Sequence, residues 1–104
     1  MDHNIFLKEV KVRLKEVFQD RFQGAILYGS EVRGEAGEDS DIDLLVLLEG
    51  PIVLHCDLLT IIRALYPLQL ELVRQIDVTP VDINDFEAGE YALYRNARNE
   101  GLRV

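Results

Sequence analysis

Five consecutive apolar residues, Leu44-Leu45-Val46-Leu47-Leu48, follow directly on Ser40-Asp41-Ile42-Asp43 and are stopped by Glu49-Gly50-Pro51. A run of that length suits a strand. Because successive strand side chains point to opposite faces, an unbroken apolar run needs cover on both faces, which marks a central strand. The same alternation puts Asp41 and Asp43 on one face and Ile42 and Leu44 on the other. Two carboxylates therefore converge at the mouth of a buried strand. Upstream of them, a second apolar run, Ala25-Ile26-Leu27-Tyr28, closes in Gly29-Ser30 and reads as a buried first strand.

The remaining patterns supply the cover. Residues 5–20 carry Phe6, Val10, Leu14, Val17 and Phe18 at helical spacing, with Asp2 or Asn4 available as cap and Gln23-Gly24 ending the pattern. Ser30 is placed to cap a short second helix through about Ala36, and Gly34 to Asp39 read as an exposed loop. Leu54, Leu58, Leu59, Ile61, Ile62 and Leu65 predict a helix over 54–66 that Pro67 should stop or kink. Whether 68–73 prolongs that helix or begins a strand is open. Arg74 to Val81 alternates, with Ile76 and Val78 on one face and Gln75, Asp77 and Thr79 on the other, and predicts a third strand bearing a carboxylate. Asn84 and Glu87 have capping-box spacing, and 91–99 predicts a last helix with Gly101 beyond its end. The alternation of helices and strands implies an α/β (α+β) fold, a small mixed β-sheet flanked by helices.

Length and charge narrow the class. The 104 residues read as one domain, 1–104, able to bury a core without disulfides or a structural metal. No apolar run approaches the roughly 20 residues of a membrane span, and the polar start, Met1-Asp2-His3-Asn4, lacks the pattern of a signal peptide. These features predict a cytoplasmic protein with no membrane partner. Cys56 is the single cysteine and sits in an apolar segment, where a core role is expected. His3 and His55 have no partners at ligand or catalytic spacing, and Tyr28 is expected to pack on the first helix. Tyr91 and Tyr94 read as core contacts of the last helix, with modification or partner binding as the alternative. The formal net charge of −8 argues against docking on a long nucleic acid.

Together, a turn that opens a helix and an acidic pair on the neighbouring strand make complementary tools. Helix amides and the Ser30 hydroxyl can hold phosphate oxygens, and the aspartates can hold Mg²⁺, which prefers hard oxygen ligands. Two ions roughly 4 Å apart would activate a hydroxyl and stabilise a leaving pyrophosphate. A third acid is needed beside the pair. Asp77 is the candidate, with Asp82 the rival if the register slips by one. Arg33 either reaches a phosphate or pairs with Glu31 or Glu35.

The string Gly29-Ser30-x-x-Arg33-Gly34-x-Ala36 with Ser40-Asp41-Ile42-Asp43-Leu44-Leu45-Val46 resembles the signature of the nucleotidyltransferase superfamily related to DNA polymerase beta, specifically its minimal, MNT-type members. The likeness continues more weakly through Thr79-Pro80-Val81, Asp85-Phe86-Glu87 and Tyr94-Arg95-Asn96 to Glu100-Gly101. It implies the polymerase beta palm-like fold and transfer of a nucleoside monophosphate, AMP from ATP or another NTP, to a hydroxyl, with Mg²⁺ as cofactor. Carried over residue by residue, it makes Asp41, Asp43 and Asp77 catalytic metal ligands and Gly29 and Ser30, with Arg33, nucleotide contacts. It also implies a HEPN-domain partner, some minimal members being antitoxins that add AMP to a HEPN toxin. A binding protein that masks such a partner without catalysis is the alternative, and a homo-oligomer is left open.

Overall fold

The computed structural model describes residues 2–34, 37 and 40–104. The expected end of the second helix near Ala36, and Glu35, Glu38 and Asp39, lie outside the described residues. Asp2 caps α1 (His3–Phe18), accepting from the amides of Asn4 and Ile5. The helix ends with Phe18, the last residue of its apolar pattern and short of the expected end at Gln23-Gly24, in a 3₁₀ turn at Gln19–Arg21 that leads into β1 (Phe22–Tyr28). The strand thus begins three residues before the expected Ala25, through Gln23 and Gly24, which were expected to be a helix end. α2 is a single turn, Ser30–Arg33, with Gly29 rather than Ser30 at the cap position and a left-handed Gly34 closing it. β2 (Ile42–Leu48), α3 (Leu54–Leu70) and β3 (Ile76–Asp82) follow, then α4 (Ile83–Ala88), α5 (Ala92–Glu100) and β4 (Leu102–Arg103).

Among the described residues the strands form one mixed sheet in the order β3-β2-β1-β4. β2 runs antiparallel to β1 and parallel to β3. Its apolar run is central, as its sequence requires, and Leu44 through Leu48 are fully buried. One face, with Ala25, Leu27, Leu44, Val46 and Ile76, packs on Phe6, Val10 and Leu14 of α1 and Ile61, Leu65 and Leu68 of α3. The other face, with Ile26, Leu45, Leu47 and Val81, packs on Phe86 of α4 and Ala97 of α5, and Tyr94 rests against Phe86 at 6.1 Å between ring centroids. Tyr94 is a core contact; Tyr91, although edge-on to it at 5.2 Å, is 62% exposed.

Three further expectations are corrected. Pro67 lies inside α3 without ending it. Both Pro67 and Arg63 are exposed, so the carbonyl that loses its helical partner faces water, while Ile61, Leu65 and Leu68 hold the helix to the sheet. The α4 cap is Asp82, which accepts from the Asn84 amide, rather than Asn84. Cys56 is exposed on α3, away from the core. β4 had no counterpart in the sequence pattern; two residues are too few for an alternation to be seen, and pairing with Ile26 and Leu27 makes them a strand.

Candidate active site

The two strands that carry the motif meet the third at one level. In the ladder Tyr28 lies opposite Asp43, and Asp43 lies opposite Asp77. The three side chains share the face that carries Ile26 and Leu45, beyond the part covered by α4 and α5. Asp41, two residues before Asp43, is exposed just ahead of β2, and Asp77 is exposed on edge strand β3. Asp82 is at the far end of the same strand, opposite Leu48. Five residues from Asp77 it points to the other face, about 16 Å away along the strand. Its carboxylate is occupied in capping α4, and it lies so close to Gly50 that a Cβ there would collide with it.

Gly29 fixes the approach of the turn to the acids. Its φ of 79° is left-handed, and a Cβ built on it would stand 2.6 Å from Asp43 Oδ2. Only a residue without a side chain permits both. The Gly29 carbonyl accepts from the amides of Val32 and Arg33, each at 3.2 Å, which closes the one-turn α2. Ser30 is the first residue of that turn, and its carbonyl accepts from the Gly34 amide.

The electrostatics follow from the crowding. Burial pushes the Asp43 carboxyl above the ordinary carboxylate value, the charges of Asp77 and Asp41 add to the rise, and Arg33 opposes it. The charge of Arg33 thus acts on Asp43, while the Glu31 carboxylate is taken by His3 and Arg74. Tyr28 is on the acid face, so its expected packing on α1 is corrected: burial raises its pKa, Asp43 and Asp77 raise it further, and a hydrogen bond with Thr79 partly offsets them.

Asp41, Asp43 and Asp77 offer only carboxylate oxygens, the donors that suit a hard divalent cation, and the mutual repulsion felt at Asp43 is what such a cation would relieve. The residues fit the metal in chemistry. Among the described residues no group of three acids, histidines or cysteines is already gathered as a ready-made metal cluster.

Sequence reasoning passed over the groups behind the motif. His3 Nε2 lies 2.8 Å from Glu31 Oε1, and Arg74 forms an ion pair with the other Glu31 oxygen. Burial works against the Glu31 carboxylate, but hydrogen bonds from His3 and Arg74, with the charge of Arg74, outweigh it and hold the group below its ordinary value. The residues are 28 and 43 positions from Glu31, so no local spacing signals them. His3, expected to be incidental, is part of this support.

Residues 7–100, most of the chain, match the nucleotidyltransferase domain family. A protein of Methanocaldococcus jannaschii, named as a putative protein adenylyltransferase, is 37% identical over 43 residues, a stretch that spans 41% of this chain and 43% of that protein. No helix among the described residues is long and apolar enough to cross a membrane. With a mixed sheet that brings the Gly-Ser turn beside the Asp-x-Asp strand and a match over nearly its whole length, the chain belongs to the nucleotidyltransferase domain family.

Proposed function

We propose that this chain is an enzyme that transfers a nucleoside monophosphate, AMP from ATP, to a hydroxyl of a protein or small molecule, with Asp41, Asp43 and Asp77 as Mg²⁺ ligands. One observation carries the reading: Asp43 and Asp77 are ladder neighbours on the open part of one sheet face, with the Gly29 backbone pressed against Asp43. The relative named as a putative protein adenylyltransferase supports AMP as the group transferred.

In this reading the turn amides and the Ser30 hydroxyl bind the triphosphate, and Arg33 adds positive charge at its edge. Bound Mg²⁺, with two ions expected, would neutralise phosphate charge and make the attacking hydroxyl more acidic. Asp77, on the edge strand, takes the proton from that hydroxyl. The acceptor oxygen bonds to the α-phosphorus as the bond to pyrophosphate breaks, and pyrophosphate leaves with its electron pair. A net charge of −8 leaves few basic side chains for this neutralisation, which is why the metal is assigned so large a share.

A second reading is favoured by one feature, the apolar stripe that α3 turns outward. Leu54, Ile62, Tyr66 and Leu70 are 62%, 48%, 56% and 67% exposed. A protein that masks a HEPN-domain toxin by binding would need such a surface and no chemistry. Incubation with labelled ATP, Mg²⁺ and the product of the adjacent gene separates the two. Label transfer that is abolished in Asp41→Asn/Asp43→Asn is the expected result. Transfer that survives in that variant rejects the catalytic assignment, and inhibition of a partner without transfer favours masking.

A further inference from the structure

Arg74 lies in the bend that leads into β3 and has no part in the chemistry above. Its Nε donates to the Ser40 carbonyl at 2.8 Å, and Nη2 makes a longer contact, 3.5 Å, with the Asp41 carbonyl. Its remaining nitrogen, Nη1, is paired with Glu31 on α2. One guanidinium thus joins the two halves of the motif, the helical turn after Gly29-Ser30 and the backbone just ahead of Ile42-Asp43.

The sheet does not make this connection. The ladder between β2 and β3 starts at Ile42, whose amide donates to the Gln75 carbonyl at 2.8 Å, so Ser40 and Asp41 precede the first strand bond. α2 is held at its base by the Gly29 carbonyl and ends after one turn at Gly34. The Tyr28–Asp43 pairing and the Gly29 contact fix the turn against Asp43, but neither reaches Asp41 or the body of α2.

We propose that Arg74 is a positioning residue: through Glu31 on one side and the Ser40 and Asp41 carbonyls on the other, it sets the separation between the Gly29-Ser30 turn and Asp41. The planar guanidinium has five donors in a fixed fork and can serve three acceptors at once, whereas a lysine ammonium is a point charge. The Arg74 and Glu31 side chains are 21% and 15% exposed, so solvent screens their pair less than a surface one. His3 completes the arrangement by holding the second Glu31 oxygen. This role rests on the transfer reading, because the separation matters only if triphosphate and metal bind across it.

Two measurements test it. Backbone hydrogen exchange on the ligand-free protein reads the tie with no substrate: Glu31→Gln is expected to raise exchange about tenfold at Ile42 as well as at Val32 and Arg33, and Arg74→Gln at both halves together. Amides of Leu45 to Leu48 should be unchanged. In thermal unfolding with a non-hydrolysable ATP analogue, the Mg²⁺ concentration giving half the stabilisation should rise about tenfold in Arg74→Gln. Arg74→Lys, which keeps the charge but not the fork, should rescue only part of that rise. A role in stability alone would lower the unfolding temperature and leave the Mg²⁺ midpoint in place. Equal midpoints in wild type and Arg74→Gln, or exchange changes confined to the substituted half, overturn the proposal. Wild-type protein that gains no stability from Mg²⁺ and analogue rejects the transfer reading instead, and the exchange measurement still decides Arg74.

Discussion

Gly29 and Asp43 occupy each other's space, and that contact makes opposite demands on stability and function. A Cβ on Gly29 would sit 2.6 Å from Asp43 Oδ2 at a backbone φ of 79°. Gly29→Ala should therefore cost about 1–2 kcal/mol from the left-handed backbone alone, with more from the displaced carboxylate. Urea unfolding reads the first effect, and loss of stabilisation by Mg²⁺ with an ATP analogue reads the second. Asp43→Asn should behave in the opposite way. The folded-state pKa of Asp43 is raised by burial first and then by Asp77 and Asp41, so ionising it costs the folded state stability relative to the unfolded chain. Removing that charge is expected to raise the unfolding temperature of the metal-free protein by a few degrees while abolishing transfer; an unfolding temperature that falls instead refutes the repulsion. At this scale the sequence disclosed Asp41, Asp43 and Gly29, because a period of two and a turn glycine are local signals. It could not disclose the Tyr28 face. Whether a residue at the end of a strand turns to one layer or the other depends on the register between strands, and here Tyr28 pairs with Asp43.

Elements were legible where their apolar period is long and obscure where a few polar groups decide. β2 and α1 follow from their side-chain patterns. The boundary between α3 and β3 depends instead on Gln69, whose Oε1 accepts from the Ile76 amide at 2.7 Å while its Nε2 donates to the Arg74 carbonyl at 2.8 Å. The Ile42 amide donates to the Gln75 carbonyl, so the backbone groups of Gln75 and Asp77 face β2 and those of Ile76, Val78 and Pro80 face the open edge. Gln69 and Gln75 satisfy both outward groups of Ile76, and Pro80 has no amide to offer. Edge strand β3 is thereby blunted against pairing with another chain. The α4 cap shows how a motif misleads: Asn84 with Glu87 has the spacing of a capping box, yet Asp82, at the end of β3, reaches the amide first. Asp82→Ala should cost about 1 kcal/mol in stability and leave nucleotidyl transfer intact, whereas Asn84→Ala should be near neutral. Urea unfolding and a transfer assay on the same preparations check both, and loss of transfer in Asp82→Ala with the fold retained would reopen the choice of third acid.

Across the whole molecule, stability is tied to acid by groups remote from the site. Arg21, after α1, donates to both oxygens of Asp57 in the first turns of α3, at 3.0 and 3.1 Å, and also to the carbonyls of Glu49 and Pro51. It thus joins the start of β1, the end of β2 and the head of α3 at the pole opposite Arg74. The hydrogen bonds from Arg21 lower the Asp57 pKa most; burial opposes them, and the Val53 amide adds to the lowering. Glu31 is likewise held low. A carboxyl with a lowered folded-state pKa contributes stability that is present above its unfolded value, about 4, and is lost as pH falls through the folded value. Asp43 runs the other way, since a raised pKa favours the folded state at low pH and the benefit is lost as pH rises through it. Two groups against one, with Asp57 only 6% exposed, make the metal-free protein lose stability as pH falls below about 4. Arg21→Met isolates the larger share. At pH 7 it should cost about 2 kcal/mol, toward the low end for breaking a buried pair because Arg21 is 38% exposed and its charge is partly screened. At pH 3 Asp57 is closer to neutral, so the difference between variant and wild type should shrink. Urea unfolding at the two pH values decides the cause: an equal loss at both would assign Arg21 to packing over the Phe18 ring, whose centroid lies 5.6 Å from its guanidinium carbon, and not to the charge of Asp57.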